Sequence, residues 1–215
     1  MNPSTARLSI DGPAGRIECA IDLPAGAPLG TVVVCHPHPQ FAGTMDNKVV
    51  QTLARAFVQL GWRSVRFNFR GVGGSQGEWG DGLGEVDDAL AVIEAFRPAA
   101  GAAAELTEPL MLAGFSFGGY VAAAAAARLP GGAGPMRLVL VAPSTQKQQV
   151  PAVPADTLVI HGENDDVVPL SATLDWARPQ ALPIVVFPGV GHFFHGQLGR
   201  LKSVVVQELL PRRPL

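Results

Sequence analysis

Eight apolar segments of strand length recur along the 215-residue chain. The first two alternate between apolar and polar positions, as an antiparallel edge hairpin does, and they flank the turn signal Asp11-Gly12-Pro13. The later segments are continuous and rich in Val and Leu, which is typical of buried parallel strands. The predicted strands are Arg7–Ile10, Arg16–Leu23, Thr31–His36, Arg63–Phe69, Pro109–Ala113, Arg137–Val141, Thr157–His161 and Pro183–Phe187.

Apolar residues between most of these segments recur at helical spacing. In the clearest case they follow Asp46, a predicted N-cap, and stop before Gly61, a residue type that commonly ends helices. The alternation of strands and helices predicts one α/β domain over residues 1–215, with an open, mostly parallel sheet and helices on both faces. The alanine-rich segment 98–108 is predicted to be a surface loop. The predicted helices are Asp46–Leu60, Gly84–Phe96, Gly119–Arg128, Leu170–Arg178 and His195–Leu210.

The amino-acid composition argues against several classes of binding partner. Hydrophobic residues make up 47% of the chain, and the formal charge of −2 comes with scattered Lys and Arg, so we expect no nucleic-acid or membrane partner. No segment approaches the ~20 apolar residues that span a bilayer. Without a signal-peptide pattern, the expected location is cytoplasmic, with Cys19 and Cys35 as reduced, buried thiols. We expect no metal and no cofactor, because there is no CxxC pair and prolines interrupt His36-x-His38.

A serine stands in the most informative motif of the chain. Gly114-Phe115-Ser116-Phe117-Gly118 follows a predicted strand and precedes a predicted helix, which is the setting of a nucleophile elbow. Glycines two before and two after the serine relieve crowding in such a tight turn. Because the chain contains 25 glycines, the five residues alone also fit an ordinary glycine-rich turn, and the remaining sequence must decide.

Polar residues follow the predicted parallel strands at the ends where catalytic groups gather in α/β sheets. The chain resembles the α/β-hydrolase superfamily over nearly its whole length, and is most similar to small bacterial predicted hydrolases that share the His-Pro-His-Pro segment and Met45-Asp46-Asn47-Lys48. The segments that carry the resemblance are His36–Pro39, Phe69–Ser75, the turn at Ser116, His161–Pro169 and Gly191–Phe194.

This resemblance implies an α/β-hydrolase fold, which many members extend with a helical cap between the sixth and seventh strands. Here the corresponding segment, Ala142–Asp156, has only 15 residues and contains three prolines, so we expect no cap domain. The site should then be shallow and open. Its expected apolar border consists of Phe41, Met45 and the Phe193-Phe194 pair.

The family order of serine, acid and histidine implies three catalytic residues. Ser116 would be the nucleophile and His192 the general base that activates it. The family pattern aligns the acid with Asp165, while Asp166 fits one register later. His195, three residues after His192, is the alternative base.

Acyl transfer also needs two N–H donors for the developing oxyanion. The Phe117 N–H, directly after the nucleophile, is one expected donor. The second should come from the turn after the third strand, where proline lacks an N–H and His38 is the natural donor. Gln40 and Phe41 are alternatives.

The sequence therefore predicts a serine hydrolase that cleaves carboxylic esters or thioesters through an acyl-enzyme. Its expected partner is a small-molecule or accessible acyl-ester substrate. One alternative is a peptidase-like amidase, because the same fold hosts both activities. Another is a non-catalytic binding protein that keeps the hydrolase scaffold.

Overall fold

One sheet of eight strands runs through the computed structural model, which describes residues 5–97, 108–130 and 134–210. The strand order is β1-β2-β4-β3-β5-β6-β7-β8. The strands are β1 (Ala6–Gly12), β2 (Gly15–Asp22), β3 (Thr31–Cys35), β4 (Arg63–Phe67), β5 (Leu110–Phe115), β6 (Arg137–Val141), β7 (Leu158–Gly162) and β8 (Ile184–Phe187). The helices are α1 (Lys48–Gln59), α2 (Leu83–Phe96), α3 (Phe117–Arg128), α4 (Leu170–Ala177) and α5 (Leu198–Leu209).

The predicted hairpin and the predicted parallel strands are both confirmed. β1 pairs with β2 in antiparallel fashion, and β2 pairs with β4 in the same way. From β4 to β8 every neighbouring pair is parallel. The strand ends that follow β3, β5, β7 and β8 therefore meet at one edge of the sheet, where the candidate catalytic residues lie.

Successive side chains along each central strand are buried on opposite faces of the sheet. Val33 and Leu112 lie on the face covered by α2, α3 and α4, whereas Val32 and Met111 lie on the face covered by α1 and α5. Both faces are thus covered, which explains why the central strands read as continuous apolar runs. In the described part of the chain, no helix is long and apolar enough to cross a membrane.

Several helix ends differ from the prediction, because tertiary contacts decide which residue caps a helix. Asn47, not Asp46, caps α1, since its side chain accepts a hydrogen bond from the Val49 N–H at 2.8 Å. Asp46 instead binds two arginines, Arg7 and Arg66.

Other boundaries shift by a few residues. Helix α3 begins at Phe117, directly after the serine turn, and not at Gly119. Helix α5 begins at Leu198, after a turn that contains His195. Of the predicted loop 98–108, all but residue 108 lies outside the described residues.

Candidate active site

The turn between β5 and α3 has the strained shape expected of a nucleophile elbow. Ser116 has a φ of 56°, which is unusual for a residue with a side chain. A Cβ on Gly114 would collide with the Gly118 carbonyl, and a Cβ on Gly118 would collide with the backbone of Cys35. The two glycines therefore allow the elbow to close and to approach the end of β3.

Three residues from separate loops form a continuous hydrogen-bonded row at the sheet edge. His192 Nε2 lies 3.1 Å from Ser116 Oγ, and His192 Nδ1 lies 2.7 Å from Asp165 Oδ2. All three side chains are buried. An ionised carboxylate can only accept, so Nδ1 carries the proton and Nε2 is free to accept the serine hydroxyl. The structure thus brings together the three residues that the sequence proposed.

The loops after β7 and β8 are tied together, which places Asp165 beside His192. The Asn164 N–H donates to the Val190 carbonyl at 2.9 Å. Gly162 permits this contact, because a Cβ there would collide with Val190. Asp166 and His195, the alternatives left open by the sequence, are exposed, and both line a neighbouring hollow.

Asp165 is held as a carboxylate by several donors. Its Oδ1 accepts hydrogen bonds from the N–H groups of Val167 and Val168 at 2.9 and 2.7 Å. Burial alone would raise the pKa of Asp165, but the hydrogen bonds from His192 and these two N–H groups, with the charge interaction between Asp165 and His192, outweigh it. The net pKa is lower than that of an ordinary aspartate, so the group stays ionised at neutral pH.

A second histidine, His161, contacts the loop that carries Asp165. His161 is fully buried, and its Nε2 donates to the Val168 carbonyl at 2.9 Å while lying 3.4 Å from Asp165 Oδ2. Burial lowers the pKa of His161, which keeps the ring neutral. This contact gives His161 a structural role at the end of β7.

The His38 N–H, in the turn after β3, is unbonded and lies near the elbow. The Gln40 N–H donates to His38 Nδ1 at 3.3 Å and the Phe41 N–H to the His38 carbonyl at 3.1 Å, so both alternative donors are engaged. Within the described residues, the N–H groups of His38 and Phe117 find no acceptor. The side-chain rings of His38 and Phe117 are in contact, with their centroids 4.9 Å apart.

His36 braces this turn from inside the protein. Its Nδ1 donates to the Pro37 carbonyl at 2.6 Å, and its Nε2 accepts from the Phe69 N–H at 3.0 Å. Burial lowers the pKa of His36 to about 3. The neutral ring therefore links the turn after β3 to the segment after β4.

A hollow of about 350 Å³ opens above Ser116. Phe41 and Phe193 border it and are 72% and 44% exposed, as predicted. Met45 and Phe194 do not border it, contrary to the prediction, because both are fully buried in the core. The remaining lining residues are Pro37, His38, Ala42, Gly43, Asn47, Lys147, Val167 and His192.

Lys147 and Val167 were not anticipated from the sequence. Residues 142–157, between β6 and β7, contain neither helix nor strand, so the site carries no cap there. Apart from Thr157, these are the residues whose small number led us to predict an open site. A second hollow, of about 650 Å³, shares Val167, His192 and Phe193 with the first and contains Asp166 and His195.

Residues 26–155 match the family model described as serine aminopeptidase, S33. The chain belongs to this family of α/β serine hydrolases. Across 95% of the chain it is similar to an alpha-beta serine hydrolase homologue from Coxiella burnetii, at 38% identity and a TM-score of 0.82, covering 97% of that chain.

A second family member, an α/β serine hydrolase without a lid from Xanthomonas campestris, is 39% identical, with a TM-score of 0.85 and coverage of 100% of this chain and 99% of that one. An uncharacterized protein of Rickettsia prowazekii is 37% identical over 124 residues, which is 58% of this chain. The match spans only 50% of the length of that Rickettsia protein.

Proposed function

We propose that this family member is a hydrolase of carboxylic esters or thioesters that works through an acyl-enzyme on Ser116. The observation that carries the proposal is the unbroken row from Ser116 Oγ through the His192 ring to the Asp165 carboxylate, at 3.1 and 2.7 Å. A serine hydroxyl is a weak nucleophile until a base within hydrogen-bond reach accepts its proton.

In the first half-reaction, Ser116 Oγ attacks the carbonyl carbon of the substrate while its proton moves to His192 Nε2. Asp165 stabilises the resulting imidazolium and holds the ring in the required tautomer. When the tetrahedral intermediate collapses, His192 returns the proton to the departing alcohol or thiol. In the second half-reaction, water attacks the acyl-enzyme with His192 again as base, and the acid and Ser116 are released.

The negative charge of each tetrahedral intermediate needs donors that are in place beforehand. The unbonded N–H groups of His38 and Phe117 border the same elbow and would supply them. Because backbone groups donate, the imidazole of His38 takes no proton-transfer step in this scheme.

Amide cleavage is the second candidate, because the matching family model is described as a serine aminopeptidase. The same residues could carry it, but an amine is a poorer leaving group than an alcohol or thiol. We favour esters and thioesters because the hollow above Ser116 is open and no cap encloses it. A matched ester and amide of the same acyl group would separate the two activities.

The test is labelling with a fluorophosphonate probe, followed by mass mapping of the adduct. We expect one adduct on Ser116 in the folded protein and none after heat denaturation. Ser116→Ala should remove both the adduct and ester turnover, the latter by a factor on the order of 10⁴ to 10⁶. Ser203→Ala, at an exposed serine on α5, is the matched control and should keep both.

Failure of the folded protein to react would contradict the proposal. Ser116 would then be unactivated, and the molecule would be a binding protein on a hydrolase scaffold. Labelling without ester turnover, but with cleavage of the matched amide, would instead favour the peptidase activity.

A further inference from the structure

One fixed charge faces the hollow above Ser116. Among the described residues that line this hollow, Lys147 alone is a lysine or arginine, and none is an aspartate or glutamate. The surroundings are mostly apolar, with Phe41, Val167 and Phe193 around the opening. Lys147 is itself exposed, so it attracts an anion as a surface charge whose effect salt weakens.

The backbone that carries Lys147 is tied to the elbow itself. The Ser144 N–H donates to the Ser116 carbonyl at 3.1 Å, and the Gln148 N–H donates to the Ser144 carbonyl at the same distance. The ammonium group lies 5.3 Å from the centroid of the Phe41 ring, a cation–π contact across the hollow's rim. Lys147 is therefore placed near the reacting serine by short-range contacts.

Among the described residues, no carboxylate forms an ion pair that would neutralise Lys147. Arg66 and Arg70, by contrast, bind Asp22 and Asp88. The charge of Lys147 also acts on the turn after β3, where it adds to the effect of burial in lowering the pKa of His38.

We propose that the substrate carries a carboxylate on the part that occupies this hollow, and that Lys147 recognises it. The inference rests on the proposed ester hydrolysis at Ser116. A single ammonium group balances a single negative charge, whereas phosphate is usually bound by several hydrogen-bond donors or by the two parallel N–H groups of an arginine. The apolar rim would cover the hydrocarbon between the scissile carbonyl and the carboxylate.

The second hollow makes the recognition directional. It shares Val167, His192 and Phe193 with the hollow above Ser116, and it also contains the exposed carboxylate of Asp166. An anionic group is repelled there and attracted by Lys147. The charged end of the substrate thus has one favourable side of the site.

Paired esters that differ by one carboxylate test this recognition. Monoethyl adipate and ethyl hexanoate compare an anion with a methyl group on the acyl side. 4-Acetoxybenzoate and 4-methylphenyl acetate make the same comparison on the alcohol side. Base uptake at constant pH gives kcat and KM for each ester, and the ratio of kcat/KM within a pair measures the preference.

We expect wild-type protein to prefer the anionic ester of at least one pair by about fivefold, with the difference mainly in KM, because the charge contact is present in both ground and transition states. Lys147→Met should abolish the preference, Lys147→Arg should retain most of it, and Lys147→Glu should reverse it. Added salt should weaken it in wild-type protein. Lys202→Met on α5 makes the same change in net charge away from both hollows and should leave the ratio unaltered.

A binding measurement checks the contact without turnover. Ser116→Ala should bind monoethyl adipate more tightly than ethyl hexanoate in calorimetry, and the double variant with Lys147→Met should not. Hydrolysis through Ser116 with no anionic preference in either pair, or with one that survives Lys147→Met, overturns the inference and leaves the ester hydrolase intact. If neither member of any pair is hydrolysed, both proposals fall together.

Discussion

Asp165 and Asp166 carry the same side chain, yet the fold gives them different surroundings. Asp165 is buried and accepts hydrogen bonds from His192 and from the N–H groups of Val167 and Val168. Asp166 is exposed beside the second hollow. The family pattern favoured Asp165, but the residue types alone could not separate the two, because they differ by a single step of register in a turn.

We expect Asp165→Asn to lower kcat for a small ester by about 10⁴-fold, because an amide that donates toward His192 Nδ1 favours the wrong tautomer of the ring. Asp166→Asn, the matched change one residue later, is expected to have little effect. Steady-state hydrolysis by both variants, with circular dichroism to confirm folding, makes the comparison. Similar losses in the two variants would refute the role proposed for Asp165.

At the scale of elements, the turn after β3 leaves the His38 N–H unbonded. Prolines at 37 and 39 have no N–H to offer, and the N–H groups of Gln40 and Phe41 are already donated to His38. His38 itself has a φ of −54°, which a proline ring also adopts. A proline at this position would therefore remove the donor with little strain in φ.

His38→Pro is expected to lower kcat by about 10² to 10³-fold, the usual effect of losing one oxyanion donor. His38→Ala is the control, because it removes the same ring but keeps the N–H, and its loss should be much smaller. Ester kinetics on both variants measure the difference. Equal activities would show that the His38 N–H plays no part in stabilising the oxyanion.

The elements themselves could be predicted from the sequence because each rests on local pattern. Parallel strands such as β5 and β6 are contiguous apolar runs, and α1 shows clear helical spacing. The cap of α1 could not be predicted, since Asp46 is drawn away by arginines distant in sequence. The prediction that Met45 borders the site was wrong, because nothing in the local pattern distinguishes an apolar residue at a pocket rim from one in the core.

At the scale of the whole molecule, the site exists because parallel strands end at one edge of a single sheet. Ser116 follows the central strand β5, while Asp165 and His192 follow β7 and β8 near one end of the sheet. The placement of these three residues at one edge of the sheet follows from the topology and could be predicted from the sequence. The proximity of Lys147 could not, because it depends on the bond from the Ser144 N–H to the Ser116 carbonyl, which leaves no trace in the sequence pattern.

Stability of the whole fold in acid should depend on His36, which is neutral and buried between two loops. Its pKa of about 3 in the folded protein lies below the value of about 6.5 in the unfolded chain. Above pH 6.5 the ring is neutral in both states and has no effect on pH dependence. As the pH falls from there toward 3, the unfolded chain binds a proton that the folded protein does not, so stability is progressively lost.

We therefore expect His36→Gln to flatten the decline in the free energy of unfolding between pH 6 and pH 4, by up to about 1.4 kcal/mol per pH unit. Glutamine keeps an acceptor for the Phe69 N–H but has no group that titrates in this range. Urea unfolding at each pH, with unchanged m-values, gives the slopes independently of any uniform loss of stability caused by the substitution. His195→Gln makes the same change at an exposed position and should preserve the wild-type slope. A His36→Gln slope equal to that of wild type would mean that His36 is protonated in the folded protein as readily as in the unfolded chain, and that the turn after β3 tolerates the charge.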